Sequence, residues 1–123
     1  MQTTKIKEKY QQFEKRIKAF VTALICFIDR LPRDRSCAVI GTQLMRSGTS
    51  VRVNYLEARA ASSKKEFCNY FGYSLQSAND PGFWLEVLMD AEKSATEDTK
   101  KLLSETNEIA NIFAKSIMTL KDK

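Results

Sequence analysis

The chain has no histidine, and its 123 residues include only four glycines, two prolines and three cysteines. Without histidine it lacks the commonest general base and the partner that activates serine or cysteine nucleophiles, so most hydrolase mechanisms lose their centre. A di-iron bundle of the ferritin type is excluded on the same ground, because it needs inward glutamates and Glu-x-x-His pairs. Scarce glycine and proline leave little turn material for an all-β fold. Cys26, Cys37 and Cys68 are odd in number and show no CxxC spacing, against a disulfide framework or a zinc site. They are expected to be buried, reduced thiols. No GxxxxGK[ST] loop and no strand-borne GxGxxG is present, so nucleotide chemistry has no support. The start, Met1 to Lys5, carries no apolar run beside a cleavage-like site, and the apolar stretch Ala19–Ile28 falls far short of the roughly 20 residues a bilayer needs. These absences together point to a cytoplasmic protein that is not an enzyme, with no cofactor, no metal and no membrane.

What the chain does have is helix-forming material and an uneven charge. Apolar residues make up 43% and charged residues 28%, ordinary globular usage for one domain over 1–123. The net charge is +5, yet residues 1–66 hold 14 basic and 6 acidic side chains while residues 67–123 hold 6 and 9. A clustered positive field in the first half attracts an acidic partner. The competing explanation is that the basic helices pair with the acidic second half inside a bundle.

Apolar positions from Ile6 through Tyr10, Phe13, Ile17, Phe20, Leu24, Phe27 and Leu31 advance in alternating steps of four and three. That seam predicts left-handed helix packing at small crossing angles, and Val21, Ile25 and Ile28 widen the stripe. Pro32 ends the first helix. A second helix is predicted from Asp34 or Ser36 as N-cap to about Ala60, with Ile40, Leu44, Val51, Tyr55 and Ala58 inward. Gly41, Ser47 and Gly48 mark a close approach on it, a hinge being the alternative. Ser63 and Glu66 fit a capping box that opens a third helix, carried by Phe67, Phe71, Leu75 and Ala78 and resumed at Trp84, Leu85, Leu88 and Met89. Between these runs Asp80-Pro81-Gly82 predicts a kink or short break, a hairpin being the alternative. A fourth helix is predicted from Ser94–Thr96, with Ser94 and Glu97 at capping-box spacing and Leu102, Thr106, Ile109, Phe113, Ile117 and Leu120 inward. The fold class is therefore all-α, an antiparallel up-down four-helix bundle.

Polar groups interrupt the second helix, where Arg46, Asn54 and Glu57 share a face and are predicted to form a half-buried network, fixing register between helices or meeting a ligand. The stretch around them, QLMRSGTSVRVNYLEARAASSKKEF, followed by FWLEVL, resembles the four-helix-bundle proteins encoded in intervening sequences of large-subunit ribosomal RNA genes. The accessory variability proteins of diversity-generating retroelements look like relatives of that family. The similarity runs from about Phe13 to Leu120. It departs from the family pattern at Arg52-Val53 and at Asp80-Pro81-Gly82. The resemblance implies a cyclic homopentamer, and, by way of the retroelement relative, binding to a reverse transcriptase and to nucleic acid through a basic surface.

Two functions are expected from this. The first is an oligomeric accessory protein that binds nucleic acid with little sequence specificity, its phosphates met by Lys15, Arg16, Lys18, Arg46, Arg52, Arg59, Lys64 and Lys65. The second is a scaffold that docks a partner enzyme such as a reverse transcriptase.

Overall fold

The computed structural model describes residues 2–121, which form α1 (Gln2–Asp29), α2 (Arg35–Arg59), α3 (Lys64–Asp90) and α4 (Thr96–Lys121). Connections of a few residues make sequential helices antiparallel neighbours. α2 lies between α1 and α3, α4 lies between α3 and α1, and among the described residues no backbone contact crosses either diagonal. The result is a square, up-down-up-down bundle whose α2–α3 seam is the most extensive and whose α1–α4 seam is the slightest.

Each helix gives one ring to a shared aromatic layer. Phe13 lies 5.5 Å from Tyr55 and 5.1 Å from Phe113, and Phe71 lies 5.1 Å from Phe113 and 6.1 Å from Tyr55, centroid to centroid. The Phe13–Tyr55 and Phe71–Phe113 pairs are edge-on and the Tyr55–Phe71 pair is stacked, arrangements that ring quadrupoles favour. Toward the other end the core continues in Ile17, Leu24, Leu44, Leu85, Leu88 and Ile109. The predicted seam of α1 is buried from Ile17 to Phe27, but Ile6 is 54% exposed. Tyr10 already meets Arg59, the last residue of α2, so the first turns of α1 run past the end of that helix.

The small residues of α2 are filled from α1. A Cβ on Gly48 would overlap Leu24 Cδ2, and one on Gly41 would come within 3.1 Å of Ile28 Cγ2. Side chains, not a neighbouring backbone, occupy the space that these glycines leave.

Local signals set the helix ends, with two changes from the sequence reading. Asp34 is the N-cap of α2, its carboxylate accepting from the Cys37 amide at 2.9 Å. Ser63 caps α3 through the Glu66 amide at 3.1 Å, but the Glu66 carboxylate returns to Ser62, accepting from its hydroxyl at 2.7 Å and its amide at 3.3 Å. At α4 the expected Ser94–Glu97 box does not form. The Ser94 and Thr99 hydroxyls bond each other at 2.6 Å, and Thr99 Oγ1 donates to the Ala95 carbonyl at 2.8 Å, so a buried threonine draws the serine away from the helix start. α3 ends in a Schellman turn: Lys93 N donates to the Leu88 carbonyl at 2.9 Å and Glu92 N to that of Met89 at 3.1 Å, with Glu92 at φ 56°.

α3 runs unbroken through Pro81, so neither the hairpin nor a break occurs at Asp80-Pro81-Gly82. Pro81 has no amide proton to offer the Ser77 carbonyl. Its ring is buried, one turn from Ala78 and Leu85 on either side, and burial of that continuous stripe holds the helix together across the missing bond.

Cysteine burial was only partly anticipated. Cys37 is buried, Cys68 is half-buried and Cys26 is exposed. Cys26 falls opposite the Ile17 face of α1, and position on the helix outweighs the residue's own preference. Desolvation by burial pushes the Cys37 thiol up in pKa.

Candidate functional site

The basic residues singled out from the sequence fall in three places. Lys15 and Lys18 are exposed on α1, whereas Arg16 turns to α4. Its Nη2 donates to Glu105 Oε1 at 2.6 Å and to Glu108 Oε2 at 2.8 Å, and its Nε donates to Glu105 Oε2 at 3.1 Å. These carboxylates, the Glu105 hydrogen bond foremost, raise the Arg16 pKa and occupy the guanidinium. Arg16 is a clamp across the α1–α4 seam, and it meets a phosphate only by leaving that clamp.

Arg46 and Arg52 lie on the middle of α2, Arg46 exposed and Arg52 half-buried. Arg52 Nε is out of contact with solvent and has no hydrogen-bond partner among the described residues.

The third group surrounds the α2–α3 turn. Arg59 closes α2 with its guanidinium 4.3 Å above the Tyr10 ring, and its Nη1 donates to Tyr55 Oη at 3.4 Å. Tyr55 in turn donates to the Tyr10 carbonyl at 3.0 Å. Its phenol has a raised pKa, mainly through desolvation. Lys64 and Lys65 follow in the first turn of α3, both exposed. The structure thus brings Arg59, Lys64 and Lys65 together at one end of the bundle, and leaves Lys15 and Lys18 apart from them on α1.

Cations in a first helical turn oppose the helix dipole, which favours negative charge there by about 0.3–1 kcal/mol per group. Among the described residues the carboxylate that follows them in sequence, Glu66, is held by Ser62 and forms no ion pair with either lysine. The Ser62 hydroxyl and amide keep the Glu66 pKa below the usual range.

Arg46, Asn54 and Glu57 are not brought together. Asn54 Nδ2 donates to the Ser50 carbonyl at 3.0 Å and to Ser50 Oγ at 3.1 Å, and Ser77 Oγ on α3 donates to Ser50 Oγ at 2.9 Å. Arg46 and Glu57 stay exposed. The bonds that join α2 to α3 are made by serines instead, including Ser74 Oγ to the Val51 carbonyl at 3.2 Å. Ser74 had a sequence signal, since it stands on the apolar stripe one turn from Phe71 and Ala78. Ser50 and Ser77 had none.

The idea that the basic first half is neutralised by the acidic second half can be tested directly. Among the described residues the ion pairs are Arg16 with Glu105 and Glu108, and Lys93 with Asp34 at 2.9 Å. Arg16 alone joins a first-half cation to second-half acids. The other seven predicted phosphate contacts meet no carboxylate of a described residue within ion-pair distance.

No described helix is long and apolar enough to cross a membrane. The profile of the 23S rRNA-intervening sequence protein family matches residues 5–115. Among solved structures, the chain is similar to a protein of unknown function from the S23 ribosomal protein family of Bacteroides thetaiotaomicron VPI-5482. The identity is 26% and the TM-score 0.82, over 89% of this chain and 98% of that one. No curated protein matches the sequence.

Proposed function

The chain belongs to the 23S rRNA-intervening sequence protein family, and on that premise we propose that it is a non-enzymatic, homo-oligomeric accessory protein that binds nucleic acid through its basic surface with little sequence preference. The observation that carries this reading is the cluster of Arg59, Lys64 and Lys65 at one end of the bundle, exposed, in no ion pair with any described residue, and in the case of the lysines set against a helix dipole. Residues that break a local stability rule without a compensating contact mark places where function is served. Lys15, Lys18, Arg46 and Arg52 add positive charge elsewhere on α1 and α2, and repetition in an oligomer multiplies weak contacts by avidity.

Filter binding with duplex DNA and structured RNA tests this reading. Retention at about 50 mM salt should fall linearly in log affinity against log salt, as counterion release requires. Absence of salt-sensitive retention ends it.

Exposed apolar side chains on α2 and α3, among them Val39, Val53, Tyr73 and Phe83, favour a second reading, in which the protein docks another protein such as a reverse transcriptase. Capture of that partner after nuclease treatment supports docking, and its loss on nuclease treatment supports nucleic acid as the bridge.

A further inference from the structure

At the corner where α1 turns into α2 there is an open cleft of about 810 Å³, away from the Arg59–Lys65 cluster. Its rim carries Arg33, Arg35 and Arg46, all exposed and none in an ion pair with a described residue. Its apolar lining includes Ile28, Leu31 and Met45. Two carboxylates are also present. Asp34 is already engaged by the Cys37 amide and by Lys93 Nζ, and Asp29 is exposed, so the three guanidinia outweigh the acid that remains available.

Guanidinia present paired donors that match phosphate oxygens, while thioether and branched side chains offer a surface for the face of a base. A duplex keeps its base faces stacked inside and is met by a flat basic surface. A concave site with an apolar floor fits the base that a single strand, bulge or end leaves unstacked. Resting on the nucleic-acid reading above, we propose that this cleft holds one unpaired nucleotide, its phosphate on Arg33, Arg35 and Arg46 and its base against Leu31 and Met45. The protein is thereby selective for single-stranded segments.

Fluorescence anisotropy with the full chain and labelled oligonucleotides tests this. Single-stranded and duplex probes of equal length are titrated at low salt against wild type, the triple variant Arg33→Ala/Arg35→Ala/Arg46→Ala, and the control Lys64→Ala/Lys65→Ala. The expected result is a loss of about tenfold or more in single-strand affinity for the triple variant, with duplex affinity changed far less, while the control weakens both alike. Met45→Ala should weaken a normal strand but leave an abasic strand unchanged, a difference that a purely structural effect would not produce. Unchanged single-strand affinity in the triple variant, with wild type still binding both probes, overturns the cleft and leaves the general reading standing. Wild type that binds neither probe overturns both. Displacement of the strand by polyglutamate of matched charge assigns the cleft to acidic protein instead and overturns the nucleotide.

Discussion

Thr106 illustrates how one atom can carry a measurable cost. It is buried on α4, and its hydroxyl has no hydrogen-bond partner among the described residues. A buried hydroxyl without a partner costs about 1–3 kcal/mol in protein mutational data. Thr106→Val keeps the shape and removes the polar atom, so the urea midpoint should rise by the equivalent of about 1 kcal/mol with the slope unchanged. A fall would mean that the hydroxyl is satisfied in solution. The glycines give a paired test, because they share a helical backbone and differ only in what surrounds them. Gly72 has nothing within 4 Å of a Cβ, so Gly72→Ala should stabilise by about 0.5–1 kcal/mol through helix preference alone. At Gly48 the new methyl meets buried Leu24, and overpacking of about 1–3 kcal/mol should exceed that gain, lowering the melting temperature. Equal effects at the two sites would refute the account of Gly48 as a slot for Leu24.

Among the elements, the α2 start and the α3 end are tied to each other. The Asp34 carboxylate accepts from the Cys37 amide first and from Lys93 Nζ second, and these hold its pKa well below the usual carboxylate range. A depressed folded pKa stabilises at pH above the unfolded value, about 3.9, and the stabilisation is lost as pH falls below it. Asp34→Asn keeps a capping oxygen but gives up the charge. The stability gap between wild type and Asp34→Asn should therefore be full at neutral pH and shrink below about pH 4, as read from urea midpoints. A gap that does not vary with pH would exclude the ion pair as its source. The same corner contains Glu92 in the left-handed region, where glycine is preferred after a helix. Glu92→Gly should raise stability by about 1 kcal/mol, since a Cβ costs roughly that much in this conformation. A clear drop in melting temperature would show that the Glu92 side chain holds the turn through contacts of its own.

For the molecule as a whole, the proposed activity and stability pull against each other at the start of α3. Replacing Lys64 and Lys65 by glutamate aligns the first turn with the helix dipole, worth about 0.3–1 kcal/mol per residue. The variant Lys64→Glu/Lys65→Glu should melt higher than wild type and bind nucleic acid more weakly. If both properties fall together, the lysines are structural and the basic end loses its functional argument. The uneven charge was readable from composition, but not whether it was neutralised. Arg16 and Lys18 look alike in sequence, yet only Arg16 faces Glu105, 89 residues away.

Periodicity, short connections and local capping residues determined four antiparallel helices, most of their inward faces and the cap at Ser63, and left the α2 cap between Asp34 and Ser36, because burial of a stripe and capping of free amides depend on residues within a few turns. Tertiary structure alone decided that α3 stays whole across Pro81, that Ser77 reaches Ser50 and Lys93 reaches Asp34, and that Arg33, Arg35 and Arg46 border one cleft. Each of those outcomes depends on the relative position of groups far apart along the chain, set only when all four apolar stripes are buried against one another.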